Sequence, residues 1–334
     1  MVTQDRKKIV MTANRRSDGD EFEYRLLLYL TSLTGETFLY VKKIKNGIWI
    51  CKTAKNTWVL KEFPTKEKIE NQIYLTKLLF TNGFHWTYRF HPIHAKKICF
   101  FEDRIFGLIE FIKKGSSFSY QTKNNRIQAI KLLSKFHETT QLFANEFSTR
   151  LSFFNQIEKW ETRLKDFISN IPQLKKFIPQ YYMEVYVEWA KWSLHMLKQN
   201  KNYFKQQTRC VIHGDVAHHN FIYNFDEQLF LIDFDLIHLG SPVIDYLQFT
   251  NRILPYIEWS NHELQQMETI KDLLNHKAFV IALIYPTDVL REWNRFIRSK
   301  NKKNKDQSLA YLKEITFNQY VQRKTFVNEM IKRI

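Results

Sequence analysis

A chain of 334 residues, 44% hydrophobic and 16% aromatic, has ample material for a core, which excludes global disorder and suggests about two domains or one large bilobal unit. Its 51 Lys and Arg against 34 Asp and Glu leave a net charge of +17, suited to a polyanionic partner, while the longest apolar runs, such as 278–285, fall short of the ~18 residues that cross a bilayer. Three separated cysteines, Cys51, Cys99 and Cys210, fit a reducing cytosol; the charged start MVTQDRKKIV has no apolar stretch behind it, so no signal peptide is expected and Met11 is an alternative start.

Residues 20–33 carry apolar positions at helical spacing and predict a first helix. FLYVKKI, IWICKT and TWVLKEF then read as three short strands, with turns at Lys45-Asn46-Gly47 and Ala54-Lys55-Asn56, forming an antiparallel meander. Residues 66–81 return to helical spacing through Ile69, Ile73, Leu75 and Leu79, and Gly83 marks the stop. Two more strands are expected near Ile98–Glu102 and Phe106–Phe111, before the polar break Lys113-Lys114-Gly115-Ser116-Ser117. From Asn125 to about Phe143 and from Phe147 to Asn200 the pattern is almost wholly helical, punctuated by Pro172 and Pro179, with Tyr186, Trp189 and Trp192 spaced as core. Short strands reappear over 209–235, and helices follow Ser241-Pro242, an N-cap with proline at the first helical position, interrupted by a basic loop over 300–305. This order lacks βαβ alternation, so a doubly wound sheet is disfavoured; an α+β, two-lobed arrangement fits, with residues 1–112 β-rich and 113–334 mainly helical.

The strand insert carries the chemistry. Cys210–Ile212 forms one strand, Phe221–Tyr223 and Leu229–Ile232 two more, and the turn at Asn224–Gln228 brings Asn220 beside Asp233, with Asp215 on the preceding loop. Alone, Asp215 or Asp233 would read as a turn or cap residue. With Asn220, they supply what phosphoryl transfer needs: a carboxylate to accept a hydroxyl proton (Asp215) and hard oxygen ligands for Mg²⁺ (Asn220 and Asp233), with Asp235 a further donor. Lys61, inside an apolar strand ahead of a long helix, either snorkels to the surface or meets phosphates, the second being favoured.

His213-Gly214-Asp215-x4-Asn220, then Ile232-Asp233-Phe234-Asp235, then Asp245, resemble the aminoglycoside phosphotransferase and choline kinase branch of the protein-kinase-like fold, over most of the chain. Trp58-Val59-Leu60-Lys61 resembles the family's third strand with its phosphate-pairing lysine. Leu108-Ile109-Glu110-Phe111 resembles the segment that holds adenine by backbone hydrogen bonds, and Leu132–His137 the first helix of the second lobe. The resemblance implies ATP and Mg²⁺ as cofactors, a small-molecule acceptor, His213 as a brace of the loop, and Asp245 as a structural bond to the backbone around Asp215. HGDVAHHNF, LIDFDLIHLGSPVIDYLQ and NRILPY are similar to the spore-coat-associated CotS group, in particular its YutH type. That narrower match implies other coat proteins as partners, a cytoplasmic or spore-coat location, and a catalytically inactive assembly component as the alternative to a kinase.

Two departures from the family pattern stand out. The first hairpin offers only Gly47 for phosphate cradling, leaving Lys42, Lys43 and Lys45 to compensate. Glu67 and Glu70 are the candidates to pair with Lys61, yet the family-like register falls at Asn71. Glu258, Trp259, Asp288, Glu292 and Trp293 are candidate acceptor-pocket residues by position alone. Nucleic-acid binding rests only on charge, with no recognition motif behind it.

Overall fold

The computed structural model describes residues 18–200, 203–204, 209–299 and 305–334. The alternative start at Met11 and residues 300–304 of the basic loop lie outside the described residues. The chain divides after Lys113 into two compact units.

In the first unit, α1 (Asp18–Thr34) precedes β1 (Phe38–Lys45), β2 (Ile48–Thr53) and β3 (Thr57–Phe63), then α2 (Lys66–Thr81), β4 (Cys99–Phe101) and β5 (Arg104–Glu110). The strands form one antiparallel sheet in the order β1-β2-β3-β5-β4. Asn46-Gly47 closes the first hairpin, with Gly47 at φ 73°, a left-handed conformation that glycine takes without steric cost. Alternation does the rest: Val41, Trp49, Cys51, Leu60, Phe106 and Leu108 bury one sheet face against Leu26 and Leu30 of α1. Val59, Lys61 and Phe63 have the opposite parity and belong to the other face. There α2 packs close: a Cβ on Gly107 would lie 2.8 Å from Phe63, 2.9 Å from Phe90 and 3.1 Å from Ile69. Thr65 caps α2 by accepting from the Lys68 N–H at 3.2 Å.

The second unit contains α3 (Lys123–Gln141), α4 (Gln156–Leu174) and α5 (Gln180–Gln199), then β6 (Cys210–Ile212), β7 (Phe221–Tyr223), β8 (Leu229–Leu231) and β9 (His238–Gly240). It continues with α6 (Val243–Ile253), α7 (Asn261–Gln265), α8 (Glu268–Leu273), α9 (Lys277–Ile284), α10 (Thr287–Arg298), α11 (Lys305–Lys313) and α12 (Tyr320–Lys332). The strand insert departs from expectation. It makes two separate ribbons, β6 with β9 and β7 with β8, and β9 was not anticipated. Pro172 does not end a helix either: it sits in the last turn of α4, where few backbone bonds remain to lose. Residues 148–155 are not helical; Phe153 bridges to Leu239 beside β9. Tyr186 is buried, and Trp189 stacks on Tyr320 with ring centroids 6.2 Å apart, as their core spacing implies. Cys51, Cys99 and Cys210 are all buried free thiols. Among the described residues, no helix is long and apolar enough to cross a membrane.

Candidate active site

The β6 strand ends at Ile212 and delivers His213-Gly214-Asp215 into a loop held from three sides. Asp245, in the first turn of α6, is fully buried. Its Oδ2 accepts from the His213 amide at 2.6 Å and from His137 Nε2 at 2.8 Å, and its Oδ1 accepts from the Gly214 amide at 2.9 Å. Burial alone would raise its pKa, but the hydrogen bond and charge of His137, with the His213 side chain and the Gly214 amide, hold the carboxyl below the usual aspartate range. The helix itself starts at Val243, one residue later than the proline signal indicates, and Ser241 Oγ accepts the Val243 N–H at 3.3 Å.

His213 is the second support. Its Nε2–H donates to Ile232 O at 2.9 Å and its Nδ1 accepts from the Asp215 amide at 3.3 Å, which selects one neutral tautomer. Burial pushes its pKa down, consistent with that neutral state. Gly214 is the third. It adopts φ 79°, and a Cβ there would lie 2.1 Å from the carbonyl oxygen of Leu236, so the loop cannot approach that turn with any side chain at this position.

Asn220 ends a short 3₁₀ turn, His218–Asn220, and is 2% exposed. Its Nδ2 donates to Asp215 O at 2.8 Å and its carbonyl accepts from the Ile232 amide at 2.9 Å. The first bond fixes the amide orientation and leaves Oδ1 as the remaining acceptor. Asp233, one residue past Ile232, sits at φ 71° and ψ 74°. A non-glycine residue pays about 1–2 kcal/mol for this left-handed conformation, and such outliers cluster at functional positions. Asp235 follows on the short turn Phe234–Leu236, partly exposed. The structure thus places Asp215, Asn220 and Asp233 on backbone segments directly bonded to one another. An Asn Oδ1 and an Asp carboxylate are the hard oxygen donors that suit Mg²⁺.

One site residue has no counterpart in the sequence reading. Arg252 Nη2 donates to Asp215 Oδ1 at 2.5 Å, and both side chains are partly buried, 24% and 31% exposed. Burial and the charge of Arg291 lower the Arg252 pKa against the attraction of Asp215. The available signal was spacing: positions 245 and 252 are two turns apart on α6, so one helix face supports both the Asp215 backbone and its side chain.

In the first unit, Lys61 lies on β3 opposite Gly107 of β5, its Nζ 5.4 Å from the Phe63 ring. The inner side of α2 offers it no glutamate from the expected pair. Glu67 is exposed, Glu70 pairs with Lys66 at 3.5 Å, and the buried polar residues are Asn71, Gln72 and Thr76. Gln72 Oε1 accepts from Tyr88 Oη at 3.1 Å. Lys42 and Lys45 are exposed on β1, and the Lys43 amide donates to Glu23 at 2.7 Å. Glu110 pairs in register with Trp58, on the sheet side opposite Lys61. Its amide donates to Arg89 O at 2.8 Å, so a base held by backbone bonds near Glu110 and the exposed Phe111 must use groups other than that N–H. With Trp58, Arg89 and Phe90, these two residues also line a concavity of about 490 Å³.

Among the acceptor-pocket candidates, Trp259, Asp288, Glu292 and Trp293 are engaged in packing and ion pairs, while Glu258 is exposed. Trp293 is fully buried and donates to Thr316 Oγ1 at 2.9 Å. Asp288 forms a bidentate pair with Arg323, at 2.9 and 2.7 Å, and that guanidinium lies 3.9 Å over the Trp259 ring. Glu292 is held by Arg291 at 2.7 Å and Arg295 at 3.1 Å. Glu258 takes a left-handed backbone, φ 52°, at the end of the short turn Leu254–Ile257.

No curated protein matches the sequence. Among solved structures, the chain is similar to an aminoglycoside phosphotransferase from Alicyclobacillus acidocaldarius, with 15% identity, TM-score 0.68, and 87% of this chain and 91% of that one covered. It is similar to the AMP-bound spectinomycin phosphotransferase APH(9)-Ia, with 16% identity, TM-score 0.68, and coverage of 92% and 99%. It is also similar to the choline kinase LicA from Streptococcus pneumoniae, with 15% identity, TM-score 0.51, and coverage of 92% and 99%. These likenesses establish the fold as kinase-like, α+β and two-lobed. The model of the phosphotransferase enzyme family matches residues 45–263, from the first hairpin through the Asp215, Asn220 and Asp233 segments and α6, and the chain belongs to that family.

Proposed function

We propose that the chain binds Mg-ATP and transfers its γ-phosphoryl group to the hydroxyl of a small molecule. The observation that carries this reading is the joined backbone of Asp215, Asn220 and Asp233, held in place by the buried Asp245. Asp215 accepts the proton of the acceptor hydroxyl. Asn220 and Asp233 would hold Mg²⁺, which neutralises phosphate charge when bound. Asp235 supplements their oxygen donors, Lys61 meets the nucleotide phosphates, and backbone groups near Glu110 and Phe111 receive the base. Solved neighbours carrying AMP or ADP support the nucleotide half of the proposal.

A second reading has its own support. With one glycine in the first hairpin and buried amides rather than glutamates on α2, the first unit is poorly equipped to hold a triphosphate tightly. A kinase-like component of the spore coat, without turnover and working through other coat proteins, would have this character, and the CotS-like phrases favour that setting. Thermal unfolding with Mg-ATP, followed by ADP release, separates the two. A ligand at a hundredfold excess over its Kd adds about 2.7 kcal/mol of stability. The wild type should show an Mg-dependent shift that Asp233→Ala loses, while Asp215→Asn keeps the shift and loses ADP release by roughly 10²–10⁴. An equal shift in wild type and Asp233→Ala removes the metal assignment; a shift with no ADP release on any acceptor selects the second reading.

A further inference from the structure

The Arg252–Asp215 pair belongs to a larger accumulation of positive charge within the second unit. Lys159 and Arg163 sit four residues apart on α4, on one helix face. Arg291 comes from α10, which packs on α4: Arg163 Nη1 bonds both the carbonyl and the hydroxyl of Thr287, and Asn294 Nδ2 donates to Arg163 O at 2.9 Å. The loop before α4 is tied to the ribbon of the Asp215 loop, because the Phe154 amide donates to Leu239 O at 2.8 Å. Lys159 Nζ rests 4.6 Å over the Phe154 ring. These cations sense one another. Lys159 is exposed, while burial and the charge of Arg291 push the Arg163 pKa down to about 10.

The nearby acids offset this charge only in part, Asp288 and Glu292 acting on Arg163 and Glu292 on Arg252. Asp288 is locked on Arg323, and Glu292 is shared by Arg291 and Arg295. Asp215 acts on both Arg252 and Lys159, and the buried Asp245 acts on Lys159 as well. The carboxylate assigned to take a proton is therefore also a counter-ion of the cationic cluster. Arg252 holds its Oδ1 at 2.5 Å, so an anionic group that competes for the guanidinium frees both carboxylate oxygens for the acceptor hydroxyl.

We propose that the acceptor is an anion, bearing a carboxylate or phosphate group that Arg252 takes up in exchange for Asp215, with Lys159 and Arg291 completing its recognition. This rests on the phosphotransferase reading above and supplies its substrate class. With the acceptor's anionic group on Arg252, the Asp215 carboxylate is released. It takes the hydroxyl proton while the acceptor oxygen bonds to the γ-phosphorus. The bond from that phosphorus to the β,γ-bridging oxygen breaks, and ADP leaves with its electron pair. Such an acceptor has the opposite charge to choline and the aminoglycosides, the ligand classes named for the neighbouring structures.

The test uses the full chain and two probes, inorganic phosphate and malonate, titrated calorimetrically without nucleotide. At least one should bind, and which one identifies the anionic group as phosphate or carboxylate. Arg252→Met should weaken binding about tenfold or more, Arg252→Lys less, and Asp215→Asn should tighten it, since the competing carboxylate is gone. Near-UV circular dichroism checks that each variant is folded. With Mg-ATP, a hydroxy acid or sugar phosphate should then stimulate ADP release, and choline or kanamycin should not. Mg-ATP binding with no response to either probe, binding indifferent to Arg252, or turnover on a cationic acceptor overturns the anionic acceptor while leaving the phosphotransferase reading intact. Phosphate binding through Arg252 in a protein that does not take Mg-ATP overturns both.

Discussion

Replacing Asp245 tests whether the site is built on one buried carboxylate. Asp245→Ala removes the acceptor of three hydrogen bonds and strands two backbone N–H groups in a protein interior. An unsatisfied buried donor costs about 1–3 kcal/mol, and breaking a buried charged pair from one side costs about 3–5 kcal/mol. We take ~3–5 kcal/mol as the net effect. At ~2–4 °C per kcal/mol for units of 150–250 residues, the melting temperature should fall by about 6–20 °C. Asp245→Asn should lose nearly as much, because its amide nitrogen meets an N–H donor that it cannot accept. The assay is thermal unfolding at neutral pH, read by near-UV circular dichroism. The folded-state pKa of Asp245 is depressed, so its contribution is fully present above the unfolded value near 3.9 and is lost only as pH falls through the lower folded value. The gap between wild type and variant should hold from pH 7 down to about 4. An Asp245→Ala melting temperature within ~3 °C of wild type would refute the argument.

Two further substitutions have definite signs. Gly214→Ala places a Cβ 2.1 Å from Leu236 O at φ 79°, so the loop must move; the left-handed conformation alone costs about 1–2 kcal/mol, and a variant as stable and as competent for Mg-ATP as wild type would contradict this. His94 accepts the Leu108 N–H at 2.9 Å on Nε2, and burial pushes its pKa down to about 4. Between that value and the unfolded 6.5 the unfolded chain binds more protons, so stability is full above pH 6.5 and falls by about 3 kcal/mol toward pH 4. Urea midpoints at pH 7 and 4.5 should differ in wild type and draw together in His94→Gln; equal wild-type midpoints would exclude the effect.

The first sheet was legible because its signals are local. Strand alternation and Asn46-Gly47 give β1 to β3, and helical spacing with Gly83 as the stop gives α2. What escaped depends on distant partners. β9 is three residues long and pairs with β6 almost thirty positions earlier, so no local pattern marks His238–Gly240 as a strand. Arg252, near the end of α6, reads as a cation that favours the helix C-terminus, and only the placement of the Asp215 loop gives it a partner. Asp288 and Trp259 have the composition of a pocket, yet Arg323, arriving on the last helix, occupies both. For the site itself, the spacing of Asp215, Asn220 and Asp233 shows which side chains share a neighbourhood. It is silent on the left-handed backbone of Asp233, which aspartate adopts only under surrounding constraint.

The three buried thiols amount to a reporter already present in the chain. Burial pushes the pKa of Cys51 and Cys210 far up, and that of Cys99 to about 12, so the reactive thiolate is scarce in the native state. Alkylation then proceeds through opening of the structure. Cys51 lies on β2, inside the sheet, and Cys99 on β4 at its edge, while Cys210 begins β6 in the other unit. Timed alkylation read peptide by peptide would therefore follow edge fraying at Cys99, loss of the sheet at Cys51, and release of the strand leading to Asp215 at Cys210, each without introducing a probe.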